Sequence, residues 1–406
     1  MSSKPSPLPS RPRRRRLRVL LVAVLGIVIL DQAARVALLR SGNLLGVRIA
    51  PFDPPLFSPV QVESVARLRR EVAEGTPADG TIAFDAELGW DNRPESGSGG
   101  ERIDALGARV GSRVHGRQRR EGTRRILVFG CSFTFGTEVA GDEAWPDRLE
   151  AALGEDVEVI NLGVPGYGLD QAFLRWRRLG PTLRADEVWL GFMPAAAARN
   201  VNLYRPALRP WSPTVAFKPR FELDAQGALL AVPQPCRSLT ELLALVDDPD
   251  RFVAAVAPHD AFVARWPSAW ARQGSFVWHW SATSRLFVTL LCTRNRDPHV
   301  LLADPTGEVA KVTAAIGEQM AREVHASGAA FRILLLPDRD GLRALRAGGH
   351  ASWQRLVERW RGAGIRVDDP GDALDPGDAA AWSEGGHYSA AGNAAVARAL
   401  SSTLRR

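Results

Sequence analysis

From about Thr123 onward, short apolar runs alternate with amphipathic stretches, and this rhythm restricts the fold more than any other feature of the chain. Apolar runs at 125–129, 157–161, 187–192 and 331–336 are too short for helices and rich in Val, Ile, Leu and Phe, so they predict buried strands. Ile365-Arg366-Val367 is a candidate last strand. Helical periodicity predicts helices near 143–153, 170–179, 308–326, 352–362 and 390–400. Strands separated by helices cannot be joined as hairpins. They predict a parallel sheet covered on both faces, an α/β class fold. The alternation does not specify strand order.

The amino terminus is of a different kind. Residues 1–18 hold seven of the 52 Lys and Arg residues and no acid, so the rest of the chain is balanced against 45 acidic residues. A neutral body with one basic arm does not read as a nucleic-acid surface. Residues 2–16, rich in Ser, Pro and Arg, are expected to lack structure. The uncharged run Val19–Leu30 would span only about 18 Å as a helix, short of a hydrocarbon core of about 30 Å. Extension over 17–39, with Arg18 snorkelling and Asp31 near the far interface, makes a transmembrane signal anchor. The basic flank keeps the N-terminus cytoplasmic and places the remainder outside, in the periplasm if the cell has one. A cleaved signal peptide is the rival reading; no Ala-x-Ala site follows the run directly.

Two stretches lie outside the strand-helix rhythm. Residues 40–122 read as an extension packing on the core, with an ordered turn and strand at Phe84–Trp90 and a loop at Pro94–Glu101. Residues 200–305, dense in Pro and Trp, read as a mostly helical insertion within a 123–404 domain, with helices at 238–247 and 281–292. It fits either a lid or acceptor groove, or a subdomain with buried tryptophans. Of three cysteines, Cys131 reads as a buried filler, while Cys236 and Cys292 are either a disulfide pair or two thiols. No Cys or His cluster implies a metal, and no cofactor motif is present.

Chemistry concentrates in two distant strings. Phe129-Gly130-Cys131-Ser132-Phe133-Thr134-Phe135-Gly136 directly follows the first strand, and Glu384-Gly385-Gly386-His387-Tyr388-Ser389 precedes the last helix. A serine on a turn leaving a buried strand is presented at the carboxyl edge of the sheet, where open α/β sheets place their ligands. A serine needs a base to act as a nucleophile, and a histidine oriented by an acid is the usual one. Together these strings resemble the SGNH (GDSL-type) hydrolase superfamily. The resemblance implies a three-layer α/β/α flavodoxin-like sheet and assigns Ser132 as nucleophile, His387 as general base and Glu384 as the acid that orients it.

The resemblance extends to an oxyanion hole. Its donors would be the N–H of Ser132 and that of Gly163, in Asn161-Leu162-Gly163-Val164-Pro165-Gly166, which matches the family's second block. The third block departs from the pattern. Where the family carries an asparagine after the third strand, this chain runs Ala195-Ala196-Ala197-Ala198-Arg199-Asn200. Alanine has no donor; Asn200 or Asn202 is the candidate replacement. The resemblance implies an exported serine esterase or O-acyltransferase, anchored in the membrane, acting on a small ester or an acylated envelope or secreted polysaccharide. The alternative is a weakly active or inactive glycan-binding or assembly protein on the same scaffold, with the alanine run as its signature.

Overall fold

A computed structural model describes residues 12–39, 43–44, 47–48, 56–75, 80–208, 215–266, 269, 281–284, 286–287 and 297–404. They fall into two compact units. One combines Met1–Leu56 with Arg265–Asn295; the other combines Phe57–Ala264 with Arg296–Arg406.

The larger unit is built on five parallel strands: β1 (Arg124–Gly130), β2 (Val157–Gly163), β3 (Glu187–Phe192), β4 (Ala330–Leu335) and β5 (Arg366–Asp368). Their spatial order is β5-β4-β3-β1-β2, a flavodoxin-like arrangement. The apolar runs are apolar along their whole length because both faces of a parallel sheet are covered. Ile126, Leu127, Val128 and Phe129 are fully buried, as are Trp189, Leu190 and Phe192. Only β5, at an edge, is short and charged.

The covering helices are α1 (Trp145–Leu153), α2 (Leu169–Leu183), α3 (Glu308–Ala326), α4 (Gln354–Gly362) and α5 (Ala390–Leu404). Helices α1 and α5 pack on each other, and α3 packs against both α2 and α4. This is the expected three-layer α/β/α architecture, and the helices match their predicted positions closely. The order reverses between β1 and β3, so ligands are expected outside the carboxyl ends of these strands.

A buried arginine closes the opposite end of the sheet. Arg125 on β1 donates to Glu158 Oε2 on β2 at 2.7 Å, and to the carbonyls of Gly116, Arg117, Gln118 and Leu183. Its fully buried guanidinium thereby ties together two strands, an incoming loop and the end of α2.

The 57–122 extension runs against the loop after β2. Its helix Pro59–Glu74 starts at a capping box made by Ser58 and Gln61. Phe84–Trp90 forms the turn of a hairpin, Ile82–Asp85 with Gly89–Asn92. The stretch expected to be a loop at Pro94–Glu101 contains a second short hairpin, Ser96–Ser98 with Glu101–Ile103, because Gly99 and Gly100 make a tight reversal. Trp90 Nε1 donates to Pro165 O, Tyr167 Oη donates to Trp90 O, and Arg175 of α2 bonds Asp91.

In the insertion, a hairpin (Arg220–Leu223 with Leu229–Val232) precedes helices Leu239–Asp247, Pro249–Val256 and Pro298–Ala303. Lys218, buried beside Asp170 Oδ2, anchors its base to the start of α2. Of the insertion tryptophans, Trp266 is buried; Trp211, Trp270, Trp278 and Trp280 lie outside the described residues, as does Cys292. Cys236 is a buried free thiol, and burial raises its pKa to about 12.

In the smaller unit, helix Pro12–Leu39 begins inside the arm expected to lack structure, since the arginines there are good helix formers. Its segment Arg15–Ala37 is long and apolar enough to cross a membrane, with a mean hydropathy of 2.2.

Candidate active site

β1 ends at Gly130, and the chain turns at once into the short helix Ser132–Phe135. The turn sits on the end of β2: a Cβ at Gly163 would lie 2.6 Å from Phe135 N, so only glycine permits this approach. Asn161 fixes the turn from the other side. Its Nδ2 donates to the carbonyls of Thr134 and Phe135, and its Oδ1 accepts the Gly163 N–H at 3.1 Å. Trp145 of α1 donates from Nε1 to Phe133 O. Ser132 is thus buried on a turn with little freedom.

The loop before α5 brings the histidine. Tyr388 is buried, donates from Oη to Pro337 O beyond β4, and packs edge-on against Phe133 and Trp382. Asn393 donates to the carbonyls of Tyr388 and Ser389 and accepts the Trp145 N–H. The string Tyr-Ser-x-x-Gly-Asn therefore clamps the histidine loop onto the nucleophile turn. The result places His387 Nε2 3.0 Å from Ser132 Oγ, although the residues lie 255 positions apart in sequence.

The carboxylate beside the histidine is not the expected one. Glu384 is exposed and forms no hydrogen bond or ion pair with the described residues. Glu138, six residues after the serine, takes its place: Oε2 lies 2.5 Å from His387 Nδ1. The same carboxylate accepts Ser383 Oγ at 2.8 Å and the Gly385 N–H at 2.9 Å. The reason is geometric. A turn at Ser383–His387, closed by Ser383 N–H to His387 O, points Glu384 outward and its donors inward. A Cβ on Gly385 would lie 2.4 Å from Glu138 Oε1, so the glycine leaves room for the acid. Partial burial pushes the Glu138 carboxyl up, but hydrogen bonds from His387, Ser383 and Gly385 outweigh it and hold the group below its ordinary range. Glu138 also holds a φ of 72°, a left-handed conformation uncommon outside glycine. Such outliers gather where function fixes the backbone. An acid directly after the nucleophile turn, facing a Gly-Gly pair, was the signal available in sequence.

The expected oxyanion donors differ in what holds them. The Ser132 N–H makes no hydrogen bond with the described residues and is free for a ligand. The Gly163 N–H is engaged by Asn161, so it is not a free donor. Asn200 does not reach the site: it is fully buried, its Oδ1 accepts the Leu169 N–H at 2.8 Å, and its Nδ2 donates to Thr313 Oγ1 at 2.9 Å. Asn202 is likewise committed, to Asp260 and Tyr204 O. Ala196 and Ala197 are buried in the 3-10 turn Pro194–Val201 that follows β3.

A serine ending the first strand faces a histidine before the last helix, on a 2-1-3-4-5 parallel sheet. The fold is an α/β/α sandwich on a flavodoxin-like sheet. Solved structures similar to this chain include a member of the lipolytic protein G-D-S-L family from Veillonella parvula DSM 2008, at 11% identity over 70% of this chain and 100% of that one, with a TM-score of 0.32. The aryl esterase of M. smegmatis is 14% identical over 70% of this chain and 99% of its own, with a TM-score of 0.32. An acetylxylan esterase from Geobacillus stearothermophilus is 13% identical over 70% and 94%, with a TM-score of 0.35. No protein-family model matches the chain, and no curated protein matches it.

Proposed function

We propose that this chain is an SGNH-type serine esterase acting through an acyl-serine intermediate. One observation carries the reading: the continuous line Ser132 Oγ, His387 Nε2, His387 Nδ1, Glu138 Oε2, with steps of 3.0 and 2.5 Å. His387 takes the serine proton as Oγ attacks the ester carbonyl, and gives it to the departing alkoxide. Glu138 holds the imidazole with Nε2 toward the serine and balances the imidazolium charge. The tetrahedral oxyanion takes the Ser132 N–H. Water, or a second hydroxyl, then resolves the acyl-serine with His387 as base, giving hydrolysis or transfer.

The substrate class follows the same reading: a small ester or an acylated carbohydrate of the cell envelope, met outside the cytoplasm if the Arg15–Ala37 helix spans the membrane with its basic end inside. A second reading has its own observation. The alanine run gives no side-chain donor, Asn200 is spent on structure, and one free N–H is a poor oxyanion hole. An acyl-carbohydrate binding scaffold with weak activity would look the same.

A fluorophosphonate probe separates them. Labelling at Ser132, abolished in Ser132→Ala, supports the esterase. No labelling in folded protein supports the scaffold.

A further inference from the structure

The apolar helix Pro12–Leu39 is not bare along its whole length. Asp31, the one acid in it, lies 16 positions beyond Arg15, or about 24 Å along a helix. With the arginines at one face of a hydrocarbon core of about 30 Å, the carboxylate falls close to the opposite face. There it is partnered. Asp31 Oδ1 accepts Ser281 Oγ at 2.9 Å and the Thr283 N–H at 3.0 Å, so it serves as the cap of a helical turn belonging to the distant insertion. The turn also holds itself, with the Ser284 N–H on Ser281 Oγ. One turn along the anchor, Ala34 and Ala282 bury each other, with Leu286 packed against the pair. Two alanines allow close approach of the kind that helix contacts in lipid favour.

The surroundings of this contact suit lipid. Val19, Leu20, Val24, Ile27, Ile29 and Leu30 are exposed, and Phe287, in the docked stretch, is 57% exposed. The sequence 276–292 around that stretch is aromatic and aliphatic, with Arg285 its one formal charge and Trp278 and Trp280 just before the capped turn. Tryptophan beside a charged cap is the composition of a membrane interface.

We propose that Ser281–Phe287 is a second membrane contact, docked on the anchor helix through Asp31 and Ala34 at the outer bilayer interface. It follows that the helix is a retained part of the folded protein rather than a removable leader. A leader cleaved beyond Asp31 would strip the cap from the insertion. The inference is independent of the esterase reading.

The test uses full-length protein in vesicles of phosphatidylethanolamine and phosphatidylglycerol. With cysteines placed by Ala34→Cys and Ala282→Cys, mild oxidation should yield the peptide joining positions 34 and 282. Added Asp31→Ala should weaken docking about tenfold, the equivalent of one lost charge-assisted hydrogen bond. Asp31→Asn, which keeps an acceptor, should largely restore it. A fluorophore on Phe287→Cys should be quenched more by headgroup-labelled lipid than by lipid labelled at the chain end. Three results overturn the proposal: a folded double-cysteine protein that does not cross-link, a fluorophore quenched by neither lipid, or a mature N-terminus beyond Asp31.

Discussion

Glu138 Oε2 lies 2.5 Å from His387 Nδ1, whereas Glu384, three residues before the histidine, faces solvent. The acid of the candidate triad therefore belongs to the nucleophile's own loop. The histidine loop docks on both Ser132 and Glu138.

This predicts a clear order of effects. On a small activated ester, Ser132→Ala should remove turnover, and His387→Ala should nearly do so. Glu138→Gln should lower kcat on the order of a hundredfold or more, because the amide cannot balance the imidazolium and can select the wrong tautomer. Glu384→Gln should leave kcat within about twofold, as expected for an exposed side chain with no partner among the described residues. Equal losses in the two glutamate variants would sink the assignment.

The pH dependence follows from the direction of the Glu138 shift. Held below its ordinary value of 4.5, the carboxylate stays ionised throughout the neutral range. Loss of kcat/KM caused by protonation of Glu138 should therefore be confined to pH below about 4.5. An acid loss centred above that pH and absent from Glu138→Gln would contradict the lowered carboxyl. The same depressed value adds stability above the ordinary glutamate pKa, and this is lost as the pH falls through the folded one.

Asn200 should behave as a structural residue. Asn200→Ala strips the Leu169 N–H and Thr313 Oγ1 of their buried partners, at a cost of about 1–3 kcal/mol. Denaturant melts should show this loss, with kcat unchanged in the folded fraction. A fall in kcat at unchanged stability would return Asn200 to the oxyanion hole.

What was legible in sequence was what is locally encoded. Ile126–Phe129 reads as a strand because a doubly covered strand is apolar throughout, and Ser132 and His387 stand in strings whose neighbours clamp them. Strand order was not legible, since β3 and β4 are neighbours across more than a hundred intervening residues. Glu138 escaped because its role depends on a left-handed backbone angle and on two N–H and O–H donors from a turn 245 positions away. Gly163 was read as an oxyanion donor from the string alone. Its glycine is explained as well by the close approach of Phe135, while its N–H is held by Asn161. The pairing of Asp31 with Ser281 joins a leader-like helix to an insertion, and no periodicity encodes that.

Arg125 tests the frame on which the site stands. Arg125→Met leaves Glu158 buried without its cation and strips four carbonyls of a donor; removing one partner of a buried pair costs about 3–5 kcal/mol. Arg125→Lys should recover only part of this, because an ammonium cannot fork to so many acceptors.

The last prediction concerns the missing donor. Ala196 lies in the turn after β3, where the sequence resemblance implies an asparagine, and of the donors it implies the Ser132 N–H is free of partners among the described residues. One oxyanion donor is worth about 3 kcal/mol, or two to three decades in rate. Ala196→Asn should therefore raise kcat on a small activated ester by up to about a hundredfold, with KM little changed, because the new bond strengthens only as charge develops. The gain should vanish in the Ser132→Ala background, which separates a completed oxyanion hole from a new nucleophile. If Ala196→Asn folds and turnover does not rise, the oxyanion is held by a donor other than the block-three side chain, and the alanine run is no defect.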